Sequence, residues 1–212
     1  MRQEIVQLKK EVLEMGHFAL KMLEDATISL INNDVDLAKS VLERKDELRQ
    51  YDDKIEDETL KTLHLFQPMA KDLRRLATIL KTITYLYRIG RYGKDIAKSV
   101  KLLTTSHPLS EMVGIQHMWE HVEPMILDVL EAFKESKIDK IKDFEERDDE
   151  IDKMRWSIFR QAVSFVLEDP KNISISSHII MIAYYLERCG DCACKIAEKV
   201  HYMVTAKHIE IS

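Results

Sequence analysis

The chain repeats itself, and that repetition restricts its fold more than any other feature. Residues 35–48 align with residues 138–151 at a constant offset of 103, setting Glu43-Arg44-Lys45-Asp46-Glu47-Leu48 beside Glu146-Arg147-Asp148-Asp149-Glu150-Ile151. Further on, Leu86-Tyr87-Arg88-Ile89-Gly90-Arg91, then Ile96-Ala97, align with Leu186-Glu187-Arg188-Cys189-Gly190-Asp191, then Ile196-Ala197, at an offset of 100. Amphipathic helices share apolar spacing by default. They seldom share a glycine and an arginine at matched positions inside a helix, so the match reads as duplication of one structural unit.

The period of the apolar residues identifies the unit. Ile5, Leu8, Val12, Met15, Ala19, Met22 and Ala26 recur at spacings of three and four, which is one stripe of a helix. Asn32-Asn33-Asp34 ends that helix and caps a second, expected over 35–66, before Gln67-Pro68 interrupts it. A third is expected over 69–103 with Leu73, Leu76, Leu80, Ile83 and Leu86 facing inward. The stretch 104–110, which contains Pro108, is the expected boundary between units. The scheme then repeats with helices over 110–136, 138–167 and 175–206, Pro124 kinking or restarting the first of these. With only 5 Gly and 4 Pro there is little turn material for sheets. The sequence therefore predicts an all-α fold of six long helices forming two tandem three-helix bundles, over residues 1–106 and 107–212.

Charge and cysteine usage narrow the function classes. The net charge of −5, with both signs mixed along the chain, offers no broad basic surface for nucleic acid. The charged start Met-Arg-Gln-Glu lacks the apolar core of a signal peptide, and 18 apolar residues never run together, so a cytoplasmic protein is expected. Cys189, Cys192 and Cys194 lie too close on one helix for a disulfide framework, and they do not share a face as a thiol zinc site would require. The sequence contains no Gly-rich phosphate loop and no Gly-x-Ser-x-Gly motif, so an enzyme is not expected.

One constellation carries chemistry. In the second unit Asp148 and Asp152 stand four apart on one helix, and Glu187 and Asp191 four apart on the next. Consecutive antiparallel helices bring such pairs face to face, where they repel unless metal cations or Arg and Lys side chains neutralise them, and hard ions such as Mg²⁺, Mn²⁺ or iron favour oxygen ligands. The plainer reading is a solvated acidic face, since the chain has 37 Asp and Glu residues. Gly190, inside a helix, favours close packing there. The matching positions in the first unit are Lys45, Arg49, Tyr87 and Arg91, which exclude a metal cation. Those cations either pair with Asp46, Asp52 and Asp53 or form an anion site. Two Glu-x-x-His pairs, Glu14 with His17 and Glu198 with His201, keep a di-iron, ferritin-like protein as an alternative. A metal-free helical adaptor is another.

The residues Asp36-Leu-Ala-Lys-Ser-Val-Leu-Glu43, Pro68-Met-Ala-Lys-Asp-Leu-Arg74 and Leu-Glu187-Arg-Cys-Gly190-Asp191 resemble the PhoU phosphate-uptake regulators. The likeness extends over nearly the whole chain. It implies a duplicated three-helix bundle with a multinuclear metal site, often iron, carried onto Asp148, Asp152, Glu187 and Asp191. It further implies a non-enzymatic negative regulator of phosphate uptake and phosphate-responsive signalling. Such a regulator contacts a phosphate transporter component and, in bacteria, its sensor kinase, and meets the membrane only through those partners. A homodimer is expected. The first repeat departs from the family pattern at all four acid positions, and the second has Lys195 where the family commonly has asparagine.

Overall fold

The computed structural model describes residues 1–103 and 113–211, and within them the chain is helical almost throughout. The helices are α1 (Arg2–Asn32), α2 (Val35–Glu43), α3 (Lys45–Phe66), α4 (Ala70–Leu103), α5 (Val113–Glu135), α6 (Phe144–Glu168) and α7 (Ile173–Thr205). The expected boundary at 104–110 lies outside the described residues.

The helix ends follow local chemistry. Asn33 takes the left-handed conformation, φ 55°, that closes α1, and the Asp34 carboxylate accepts the Leu37 N–H at 2.9 Å to start α2. Gln67 ends α3 at φ 42°, ahead of Pro68. Pro124 lies inside α5 and does not divide it.

Two expectations are corrected. The helix expected over 35–66 breaks at Arg44 into α2 and α3, and that over 138–167 begins as a 3₁₀ turn, Asp139–Ile141, before α6. At the first break, and in the first turn of α6 after the second, an arginine ties the chain back to the first helix of its unit. Arg44 donates to the buried Asp25 at 2.7 Å, and Arg147 donates to Asp128 at 2.9 Å. Each pair spans 19 residues, and the two pairs share the repeat offset of 103. Duplication therefore reaches into α1 and α5. Leu73 is also corrected: it is 46% exposed, and the inward face of α4 starts at Leu76.

In the first unit α1 packs along α4, with α3 against both; in the second, α5 and α6 pack on α7. Direct packing of α4 on α7 joins the units, so one apolar core runs through both. The seven α1 stripe residues are all buried, as are Phe133 and Phe144 in the second unit. Burying a side chain of the size of Val, Leu or Met contributes about 1.5–3 kcal/mol, and this shared core dominates stability.

Glycines set the closest approaches. A Cβ at Gly90 would meet Leu48 Cδ2 at 2.5 Å, and one at Gly190 would meet Ile151 Cδ1 at 3.2 Å. Leu48 and Ile151 are themselves repeat partners, so the same contact holds the middle helix to the last one in each unit. At Gly93 a Cβ would lie 2.9 Å from both N and Cα of Leu23, backbone atoms that cannot swing aside. Gly93→Ala is therefore expected to lower unfolding free energy by on the order of 2–3 kcal/mol, and Gly90→Ala, opposed by the end of a leucine side chain, by less. Urea unfolding of the two variants checks this; equal losses would contradict it.

Candidate metal centre

The four predicted ligands stand where α6 crosses α7, at the glycine contact. Gly190 admits α6 so closely that its missing Cβ would lie 3.4 Å from Asp148 Oδ1. Glu187 lies three residues before this glycine and Asp191 one after, so the backbone approach that seats Ile151 also brings Asp148 to the acids of α7. Glu187 is buried, Asp148 and Asp191 are half-buried and Asp152 is exposed.

The electrostatics record the crowding. Burial, followed by the Asp191 charge, pushes the Asp148 carboxyl up to about 6. Burial and Asp191 likewise push Glu187 up to about 7, against the pull of Arg188 and Arg155. Burial raises Asp191 too, with Arg188 opposing and Asp152 reinforcing the shift. Asp191 thus raises both Asp148 and Glu187, and Asp152 adds to all three from the solvent edge.

Two arginines not anticipated from the spacing of the acids answer this charge. Arg188 donates to Asp191 at 2.7 Å and places its Nε 3.0 Å from Glu187 Oε2, while Arg155 Nε lies 3.7 Å from Glu187 Oε1. The contacts to Glu187 are poorly aligned. Glu187 Oε2, Arg155 Nε and Arg188 Nε are all buried without a hydrogen-bond partner. Two guanidiniums thus face four carboxylates and leave a buried oxygen unsatisfied, a state that costs free energy unless another cation takes it up. Lys195 gives little help, because it donates to Glu198 at 2.7 Å.

The donor set suits a hard cation in its chemistry. In the arrangement described, however, no three His, Cys, Asp or Glu side chains among the described residues are closed on one point. The acids are gathered, and Arg188 bridges Glu187 and Asp191.

Other predicted features resolve differently. Cys194 shares the face of Glu187, as its spacing predicted, and its thiol lies beside Asp148 and 4.0 Å from the Phe144 carbonyl. All three cysteines are free and buried, and burial pushes the Cys192 thiol up to about 12. Glu198 accepts from Lys195, Lys199 and the Ile211 N–H, and His201 Nδ1 lies 3.0 Å from the Lys207 carbonyl. That Glu-x-x-His pair fastens the C-terminal segment onto α7. Glu14 pairs with Lys10 at 3.5 Å.

In the first unit Arg49 pairs with Asp53 at 3.4 Å as expected, while among the described residues no ion pair runs through Asp46 or Asp52. Asp52 feels burial and then Glu56 and Asp53, which raise its carboxyl.

A carboxylate whose folded pKa lies above its unfolded value binds more protons when folded, so its ionisation destabilises the fold as pH rises through the folded value. Glu187→Gln is therefore expected to stabilise metal-free protein by on the order of 1–3 kcal/mol at pH 8 and to have little effect at pH 4.5. Thermal unfolding at the two pH values reads this; a variant less stable than the parent at pH 8 would show that the arginines satisfy Glu187.

Comparison with known proteins places these features in context. A PhoU domain model matches the chain twice, over residues 12–100 and 115–200. Similar curated proteins are phosphate-specific transport system accessory protein PhoU homologs. That of Rhizobium meliloti is 33% identical over 96% of this chain and 86% of its own length, and that of Caulobacter vibrioides 32% over 98% and 90%. Among solved structures, PhoU from Pseudomonas aeruginosa superposes with a TM-score of 0.93 at 31% identity, covering 97% of this chain and 99% of that one. The phosphate transport system regulatory protein PhoU from Streptococcus pneumoniae gives a TM-score of 0.90 at 23% identity over 99% of both, a likeness of fold.

Proposed function

The chain belongs to the PhoU family, and on that premise we propose that it is a negative regulator of phosphate uptake that acts through protein contacts and not by turnover. The observation that carries the reading is the family match in both units, together with curated relatives named as accessory proteins of phosphate transport over nearly their whole length. Among the described residues no helix is long and apolar enough to cross a membrane, which agrees with a protein that reaches the transporter from the cytoplasm. Its partners are then a component of the phosphate transporter and, in bacteria, the associated sensor kinase. It works as a homodimer.

Asp148, Asp152, Glu187 and Asp191 hold the metal in this reading, which is iron, with Mg²⁺ or Mn²⁺ as the other hard ions the donors suit. Support comes from the crowding of the carboxylates, Asp191 and Asp152 each raising Asp148 and Glu187, and from the buried Glu187 Oε2 that has no hydrogen-bond partner. A bound ion would supply the positive charge that Arg155 and Arg188 provide only in part. Arg155 and Arg188 lie over the Trp156 and Tyr184 rings, at 4.5 and 5.0 Å, at the edge of this site.

Two measurements test this. Elemental analysis of purified protein is expected to find iron, manganese or magnesium that falls to background in Asp148→Ala/Glu187→Ala; equal content in both would rule out the carboxylate site. Deleting the gene is expected to raise phosphate uptake in phosphate-replete cells, with wild-type protein restoring the lower rate. Uptake unchanged by deletion would rule out the regulator.

A further inference from the structure

The first unit keeps the scaffold of the acid cluster and reverses its charge, and the structure leaves that positive charge incompletely answered. The Gly90–Leu48 contact is the repeat partner of Gly190–Ile151. It places Lys45 and Arg49 of α3 at the register of Asp148 and Asp152, and Tyr87 and Arg91 of α4 at that of Glu187 and Asp191. The inversion goes one position further than the four acids. Lys94 stands at the offset of 100 from Cys194, the thiol beside Asp148, and is only 8% exposed.

A buried ammonium needs a firm partner. Lys94 has Asp95 at 3.6 Å, and Lys98 holds the same carboxylate more closely, at 2.8 Å. Burial lowers Lys94 from its usual range, and of its charged neighbours Asp95 offsets this while Arg91 and Lys98 add to it. Arg91 is half-buried against the Tyr87 ring, 6.0 Å from its centroid, and its Nε is buried with no hydrogen-bond partner. Among the described residues neither Arg91 nor Lys45 lies within ion-pair distance of a carboxylate. One carboxylate thus serves two lysines, and the arginine between α3 and α4 has none.

We infer that Arg91, Lys94 and Lys45, with Arg49 at the rim and the Tyr87 hydroxyl as a further donor, bind a small tetrahedral oxyanion, of the phosphate or sulfate class, in the first unit. A guanidinium and ammonium groups match the charge and oxygen geometry of such an ion. Planar monocarboxylates offer less charge and fewer oxygens. The ion would do for this unit what a metal cation would do for the other, joining α3 to α4 across the glycine contact. The inference does not depend on metal in the second unit.

The test is isothermal titration of the full-length, metal-free protein with inorganic phosphate, sulfate or acetate at fixed ionic strength. Saturable phosphate or sulfate binding is expected, acetate being at least about tenfold weaker. Arg91→Gln should weaken phosphate at least about tenfold. Lys45→Gln/Arg49→Gln, both exposed positions that leave the core intact, should weaken it by at least about threefold. Asp148→Ala/Glu187→Ala should bind phosphate as the parent does. Heat that scales only with ionic strength, equal binding of acetate, parental affinity in the first-unit variants, or loss in the second-unit variant would each overturn the inference.

Discussion

The close approach of the middle helix to the last helix at a glycine is the constraint from which the rest of each unit follows. Gly90 and Gly190 lack the atom that would hold Leu48 and Ile151 away. Glycine inside a helix costs about 1 kcal/mol relative to alanine, so the position is tolerable only where close packing returns more. That contact fixes the rotation and register of the two helices together. Residues three before and one after the glycine on one helix must then face residues three before and one after the leucine or isoleucine on the other. Chemistry at those positions is inherited from packing.

Stability and charge consequently pull in different directions at the two crossings. Leu48, Ile151, Leu86 and Leu186 are fully buried and hold the helices together, whereas the charged residues beside them repel their own kind. In the second unit Arg155 and Arg188 soften the repulsion and leave polar atoms unsatisfied. In the first, Asp95 is divided between two lysines and, among the described residues, Arg91 has no ion pair. Both crossings therefore hold net charge beside a rigid apolar contact. Residues gathered only to stabilise a bundle would be expected to neutralise one another, as Arg44 with Asp25 and Arg147 with Asp128 do.

Much of this was legible in the sequence, because polar repeat positions carry more information than apolar ones. The shared Arg-x-Gly revealed the duplication, and the α1 stripe was read correctly to its last member. Spacing also placed the four acids at one crossing. The breaks at Arg44 and before Phe144 were not legible, since helix propensity runs through both, and the ion pairs found near them reach to another helix. Asp25 and Asp128 carry the same offset of 103 as the segments that were matched, so extending the self-alignment into the first helices would have found them. Arg155 and Arg188 were also within reach, three residues after Asp152 and one after Glu187, because facing acid pairs call for a metal cation or for Arg and Lys beside them. Leu73 fits the helical period of α4 and is nevertheless exposed, because periodicity gives a face without saying where along the helix a neighbour begins.

The two units also show how far such a scaffold separates its framework from its chemistry. The Asp–Arg pair, the glycine and its apolar partner occur in both. Asp148, Asp152, Glu187, Asp191 and Cys194 have become Lys45, Arg49, Tyr87, Arg91 and Lys94, and Arg155 has become Asp52. A change at one of these positions alone would place a lysine or arginine among carboxylates, which the cluster accommodates as it does Arg188, or an acid among cations. Neither reaches the apolar contact beneath. Because α4 packs directly on α7 and Tyr92 stacks on Tyr185 at 5.7 Å, the two crossings remain parts of one body even with opposite charge. Arg188 extends that continuity: it pairs with Glu187 and Asp191 while lying over Tyr184, which packs against Tyr185 at 5.9 Å. The charge state of one unit is thus in mechanical contact with the seam to the other, a connection that two independent bundles on a linker would lack.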